Sequence, residues 1–320
     1  IVFSIYKIYL LKLVLKFITF FNVIHSCQIK LNNMKSFQYK LLILLLFMGC
    51  TTKSPLSNRY VSKKKNIEHL VELGKSHWER RVDLNDAKLS NHFLLKAIEL
   101  DPKNSEIMAL FSRSCYFIGR FINNNSESSD SLFMLGYTKS WNYIIASDAF
   151  QNGYESVSGD SIAKTIAGLE NLSEELLPVA YWWAENYTSY LLTKPVLQRI
   201  ESREIIETVI HHILSVNPEY NYHGANRIFG SFYAKLPGIN LDQSKNNFDK
   251  SISIEPNFMT SYTLRAQYFS TKAGDEDLFI KDLQLVLNAD PTKLPEASPE
   301  NLFEQEKAKF LLSRKESLFE

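Results

Sequence analysis

From Ile67 onward the apolar positions of this chain recur three and four residues apart, which places them on single faces of α-helices. Leu70, Leu73, His77 and Trp78 share one such face. Phe93, Leu94, Ala97 and Ile98 share the next, on a helix that Asn85 or Asp86 is placed to cap and that closes at Asp101-Pro102. Ile107, Leu110, Phe111, Ser114, Cys115 and Ile118 line a third. Residues 123–130 are polar throughout and read as a loop. Helical spacing resumes over 132–150 and 162–172, the latter followed by the capping-type run Ser173-Glu174-Glu175. Residues 176–192 form the most aromatic stretch, with Pro178 suited to a first helical turn. A strong helix follows over 197–216, and further helices are expected over 258–271, 277–288 and 301–312.

The clearest unit runs from 222 to 256. Ile228, Phe232 and Leu236 fall four apart on one helix, and the small Gly230 and Ala234 offer a place where a neighbour can approach. Pro237-Gly238 makes the turn, Asp242 is placed to cap the second helix, and Pro256 ends it. The same ending recurs before Pro102, Pro218 and Pro291. Each of the four prolines has a bulky apolar residue eight positions earlier (Leu94, Ile210, Phe248, Leu283) and Ala97, Ile213, Ser251 or Val286 five earlier. The last three prolines stand 38 and 35 residues apart. A tetratricopeptide repeat, a helix–turn–helix ending near proline, is about 34 residues long. The pattern predicts an all-α domain over 67–312, built as a TPR-like helical-hairpin superhelix of degenerate repeats, with a charged tail over 313–320.

The beginning of the chain differs in kind. Residues 1–49 hold six lysines and no Asp, Glu or Arg; removing them from the formal +1 leaves −5 for the rest. A slightly acidic domain is a poor nucleic-acid binder, because phosphate contacts need clustered cations. Met34 opens a cationic segment (Lys35, Lys40) and a short apolar one (41–48), and Phe47-Met48-Gly49-Cys50 reads as a lipobox that directs a lipid to Cys50. Phe47 stands where leucine is commoner. Residues 34–49 are thus expected to be a lipoprotein signal peptide, with 50–66 a polar tether behind the lipidated cysteine. Residues 1–33 read either as an extra apolar leader or as sequence upstream of the true start at Met34. Lys12 and Lys16 inside the apolar run favour the second, since each costs several kcal/mol in a membrane span.

No catalytic constellation emerges: there is no G-x-S-x-G, phosphate loop, G-x-G-x-x-G or H-E-x-x-H. Glu207 and His211-His212 lie at helical spacing, but a metal needs three or four ligands, so a surface pairing is expected and no metal or cofactor. Glu174-Glu175 and Asp275-Glu276-Asp277 fall at helix starts, where negative charge suits the dipole. Cys115 fits a buried thiol. Aromatic residues as dense as those of 176–192 usually pack a core, and an apolar pocket uses the same residues. The candidates for ligand contact are Tyr181, Trp182, Trp183, Tyr187, Phe229 and Tyr233.

The lipobox, the first hairpin (LGKSHWERR to FSRSCYF), the aromatic helix AYWWAENYTSYLL, the run over 222–291 and the closing NLFEQEKAKFLL together resemble TatT, the T-component lipoproteins associated with TRAP transporters. The most specific part is 222–312, with its Gly-Ser-Phe-Tyr-Ala-x-x-Pro-Gly and Phe-x-Lys-Ser-Ile runs. The run Trp182-Trp183-Ala184-Glu185-Asn186 departs from the small-residue step expected there. The resemblance implies a non-enzymatic, membrane-tethered accessory subunit facing the periplasm. It would partner a periplasmic solute-binding protein, assemble as a homotrimer and hand an apolar small molecule along an internal passage. Thr51 is not the Asp that retains many lipoproteins at the inner membrane, so the outer membrane is open as an address. The competing expectation is a general TPR-type scaffold that binds protein and no small molecule.

Overall fold

The computed structural model describes residues 55–122 and 126–320. The chain divides into two compact units, Ile1–Arg59 and Tyr60–Glu320, and the second holds the hydrophobic core. Residues 1–33, the segment 34–49 expected as a signal peptide, and Cys50 lie outside the described residues. Among the described residues there are helices and turns but no strand, so the fold is all-α. No described helix is long and apolar enough to cross a membrane.

The helices are α1 (Pro55–Glu79), α2 (Leu84–Leu100), α3 (Ser105–Phe117), α4 (Ser126–Ile145), α5 (Asp148–Ser156), α6 (Ser161–Glu170), α7 (Leu177–Leu192), α8 (Val196–Glu201), α9 (Arg203–Val216), α10 (Tyr220–Ala234), α11 (Leu241–Ile254), α12 (Thr260–Leu264), α13 (Glu276–Asn288), α14 (Ser298–Ser313) and α15 (Lys315–Phe319). Two π-helical segments interrupt them: Ile118–Ile122 continues α3, and Arg265–Ser270 continues α12.

The four proline-terminated helices are α2, α9, α11 and α13, and each buries the two repeat positions completely. Leu94, Ile210, Phe248 and Leu283 are all fully buried, as are Ala97, Ile213, Ser251 and Val286. Two hairpins share a further device. In α1–α2, Ser90 Oγ donates to the Gly74 carbonyl at 2.8 Å, and a Cβ on Gly74 would lie 2.8 Å from Leu94. In α10–α11, Ser244 Oγ donates to the Gly230 carbonyl at 2.7 Å, and a Cβ on Gly230 would lie 2.8 Å from the Phe248 ring. Glycine lets the bulky residue of the second helix reach the backbone of the first. The serine satisfies its own hydroxyl at the crossing, where a buried polar group needs a partner.

The main core runs from Leu94 to Leu236, with the α7 residues Val179–Ala184 at its centre. A second cluster joins α12, α13 and α14 through Met259, Phe279, Leu283, Ala308 and Leu311. A third brings Trp78, Phe117 and Ile118 against Phe303, so that α14 packs on the first hairpin. Arg265 ties the second π segment to α13 through paired bonds to Asp282, at 2.8 and 2.7 Å, and to Asp249.

Several local expectations shift. Residues 55–66, read as tether, are the first half of α1, a continuous 25-residue helix; no second Pro interrupts the helix-compatible run after Pro55. Residues 126–130, read as loop, start α4. Asp83 caps α2 and receives the amides of Asn85 and Asp86, the residues assigned the capping role. Asn240 likewise caps α11 and receives the Asp242 amide. In each case the residue nearest the turn wins, since the cap must precede the first orphan N–H groups. The helix expected over 197–216 breaks at Ser202, and that over 132–150 ends at Ile145. Within the tail, Lys315–Phe319 is a short helix, and Phe319 packs edge-on against Phe279 at 5.1 Å.

Candidate functional site

Five elements converge on one cleft. Arg113, Tyr116 and Phe117 come from α3, Phe121 from its π extension, Trp182 and Glu185 from α7, Asn221 and Arg227 from α10, Phe258 and Thr260 from the start of α12, and Glu300 from α14. Its free volume is about 20 Å³, room for one water-sized occupant. The π segment belongs to this geometry. Its wider turn lets α3 present both Phe121 to the cleft and Arg120 to α14, and such segments recur at functional sites.

Buried charge surrounds the cleft. Arg81 grips Glu300 with Nε and Nη2 at 3.2 and 2.8 Å, and Arg113 donates to the same carboxylate at 3.1 Å. Both guanidiniums lie over the Trp78 ring, at 4.6 and 4.9 Å from its centre. Arg120 donates twice to Glu304, at 3.0 and 2.7 Å, and Thr263 completes that carboxylate's partners. Burial alone would lower the Arg120 guanidinium, but the Glu304 carboxylate more than reverses this. Burial pushes the Glu185 carboxyl up; the charges of Arg227 and Arg120 and the hydrogen bond from Tyr181 oppose it without cancelling it. The Tyr181 hydroxyl is held well above its ordinary value, first by burial and then by Glu185.

The α10 start carries an unusual backbone. Asn221, Tyr222 and His223 have φ of 48°, 57° and 57°, three successive left-handed residues with no glycine among them. For residues with a Cβ this conformation costs roughly 1–2 kcal/mol each. Arg227 holds the turn by donating to the carbonyls of Asn221 and Tyr222. Asn221 Nδ2 donates to Tyr181 Oη at 2.8 Å, and Tyr222 stacks on Phe258 at 4.7 Å. Gly224 follows the turn because the Tyr181 hydroxyl occupies the space of a Cβ, 2.1 Å from where one would stand.

Of the six aromatic candidates, Trp182 lines the cleft, and Tyr181 stands behind it in the Glu185–Asn221 bonding set. The other four lie elsewhere. Trp183 packs between Trp141 and Tyr187, at 5.2 and 5.3 Å. Tyr187 shares a hydrogen bond with Ser202 at 2.7 Å. Phe229 and Tyr233 stack on each other at 4.9 Å, with His211 against Phe229. Consecutive residues on a helix point about 100° apart, so Trp182 and Trp183 serve different surfaces of α7. The charged lining residues Arg113, Glu185, Arg227 and Glu300 were not among the candidates. One local signal existed: Glu185 is the only charged residue of the aromatic-rich helix α7.

The remaining candidates are accounted for locally. Glu207 accepts from Arg203 at 2.8 Å rather than pairing with His211. Among the described residues no three His, Cys, Asp or Glu side chains gather as a metal site. Cys115 is fully buried beside Asn91, and burial pushes its thiol up to about 12.

Comparison with curated proteins returns no match. A family model described as the TRAP transporter T-component, TAtT, matches residues 123–319, from the start of α4 through α15. That stretch supplies Trp182, Glu185, Asn221, Arg227, Phe258, Thr260 and Glu300 to the cleft, while Arg81 of the α1–α2 turn and Arg113 of α3 pair with Glu300 from outside the stretch. On this match the chain belongs to the TRAP transporter T-component family.

Proposed function

We propose that this accessory component of a TRAP transporter works in the cell envelope as a lipid-tethered docking subunit for a periplasmic solute-binding protein. The family match carries the reading. The lipobox at Cys50 supports the tether. The all-α architecture of paired helices suits protein docking, as helical-hairpin arrays present extended surfaces to partners.

Passage of an apolar small molecule is the further part of the proposal. The aromatic wall of Phe117, Phe121, Trp182 and Phe258 supports it. In the conformation described, the cleft admits only a water-sized occupant, so transfer requires these rings to part. A homotrimer is part of the same reading and rests on the family resemblance alone, while an outer-membrane address rests on Thr51 after Cys50.

The test is capture of partners by the domain over 51–320 from a periplasmic extract, identified by mass spectrometry. Recovery of a TRAP-type solute-binding protein is expected. Recovery of unrelated proteins, or of none, shifts the reading to a general scaffold lipoprotein.

A further inference from the structure

We propose that the central cleft is a binding site for a single small inorganic anion, of chloride's size and charge, held by Arg113, Arg227 and Thr260. Arg227 is 1% exposed and the largest of the fully buried side chains. The guanidiniums around it each have a carboxylate: Arg81 and the half-buried Arg113 share Glu300, and Arg120 has Glu304. Arg227 has neutral partners instead. It donates to the carbonyls of Asn221 and Tyr222, lies 3.4 Å from Ser251 Oγ, and sits 4.3 Å over the Phe258 ring. A buried cation without a counter-charge is strongly disfavoured. Glu185 shares the cleft but takes its hydrogen bond from Tyr181 rather than from Arg227.

The unsatisfied atoms point the same way. Arg113 Nε, Arg227 Nε and Thr260 Oγ1 are buried and have no hydrogen-bond partner in the protein. All three residues line the one cleft. Unsatisfied buried groups in a native fold call for a water or an ion. Two of these are obligate donors and the third is a hydroxyl free to donate. A water has only two acceptor sites to offer these three donors and would have to donate its own hydrogens in turn. A monatomic anion accepts from all three and supplies the missing charge, and the space of about 20 Å³ suits one such particle. The anion site rests on the cleft's own charges and volume, independently of the docking reading.

The full chain in detergent is melted while chloride replaces gluconate at constant ionic strength, and crystals grown in bromide are examined for anomalous scattering. A saturable rise of Tm with chloride is expected, together with a bromide peak between Arg113, Arg227 and Thr260. Thr260→Val removes one donor at constant shape and is expected to weaken the chloride midpoint about tenfold. Arg227→Gln is expected to abolish the response; should it fail to fold, Thr260→Val and the bromide peak still decide. Equal melting in chloride and gluconate with no bromide peak overturns the proposal and assigns the cleft to water. A chloride response unchanged in Thr260→Val, with the bromide peak elsewhere, overturns it as well.

Discussion

Glu185 and Gly224 show how closely single residues are fitted to this cleft. Burial raises the Glu185 carboxyl above its ordinary 4.5, so the folded state holds that proton more tightly than the unfolded chain does. The resulting stability is whole below 4.5, where both states are protonated, and is lost as pH rises through the raised value. Glu185→Gln keeps the acceptor for Tyr181 and removes the titration. Melting followed against pH should show the wild type losing stability relative to this variant from 4.5 upward; parallel profiles would mean that the carboxyl titrates alike in both states. Tyr181, Tyr116, Arg120 and Arg227 also face Glu185, which is why the comparison uses the near-isosteric amide. Gly224→Ala acts sterically. Its methyl would fall on the Tyr181 hydroxyl, so Tyr181 must leave Glu185 and Asn221 or the left-handed turn must move. Overpacking of this kind costs about 1–3 kcal/mol, and a lowered midpoint in urea or thermal unfolding is the expected result.

The helical hairpin is the element that sequence reveals best. Phe232, in the last turn of α10, is fully buried, and Phe232→Ala should destabilise by about 3–5 kcal/mol in denaturant unfolding. An unchanged midpoint would count against the packing of α10 on α11. The repeat positions were legible because both signals are local: helical spacing marks the buried face, and proline marks the stop two or three residues after α2, α9, α11 and α13. Caps were displaced by two or three residues because several Asp and Asn residues compete near each turn and only the backbone decides among them. The π segments have no comparable signal, since Ile118–Ile122 and Arg265–Ser270 read as ordinary helix. The cleft was legible only through Trp182. Its charges come from residues as far apart as Arg81 and Glu300, 219 positions, and nothing local to either announces the other. The left-handed turn hid for a related reason: Asn221-Tyr222-His223 contains no glycine, and Arg227 and Tyr181 stabilise it from outside.

At the scale of the whole molecule, α14 is the closing piece. Its Glu300 serves Arg81 and Arg113, its Asn301 accepts the Met259 amide and donates to the Asn257 carbonyl, and its Glu304 serves Arg120 and Thr263. One helix near the C-terminus thus neutralises three guanidiniums: Arg81 of the α1–α2 turn, Arg113 of α3 and Arg120 of its π extension. Buried ion pairs add little when intact, because desolvation offsets their attraction, but removing one partner leaves a charge stranded and costs about 3–5 kcal/mol. Glu304→Gln should therefore lower stability by that amount, as Arg120 and Glu304 are both almost wholly buried. Deleting 298–320 removes both carboxylates and Phe303 at once. A domain of this size holds only about 5–15 kcal/mol in total, so the truncated chain is expected to lose cooperative unfolding by circular dichroism. Exchange of amide hydrogens would locate the damage. Protection lost throughout α1–α3 as well as α12–α13 is the expected pattern, because the charges left unpaired sit on the first hairpins rather than beside the cut. Loss confined to α12–α13 would mean instead that the N-terminal hairpins fold independently and that α14 closes the molecule without stabilising it.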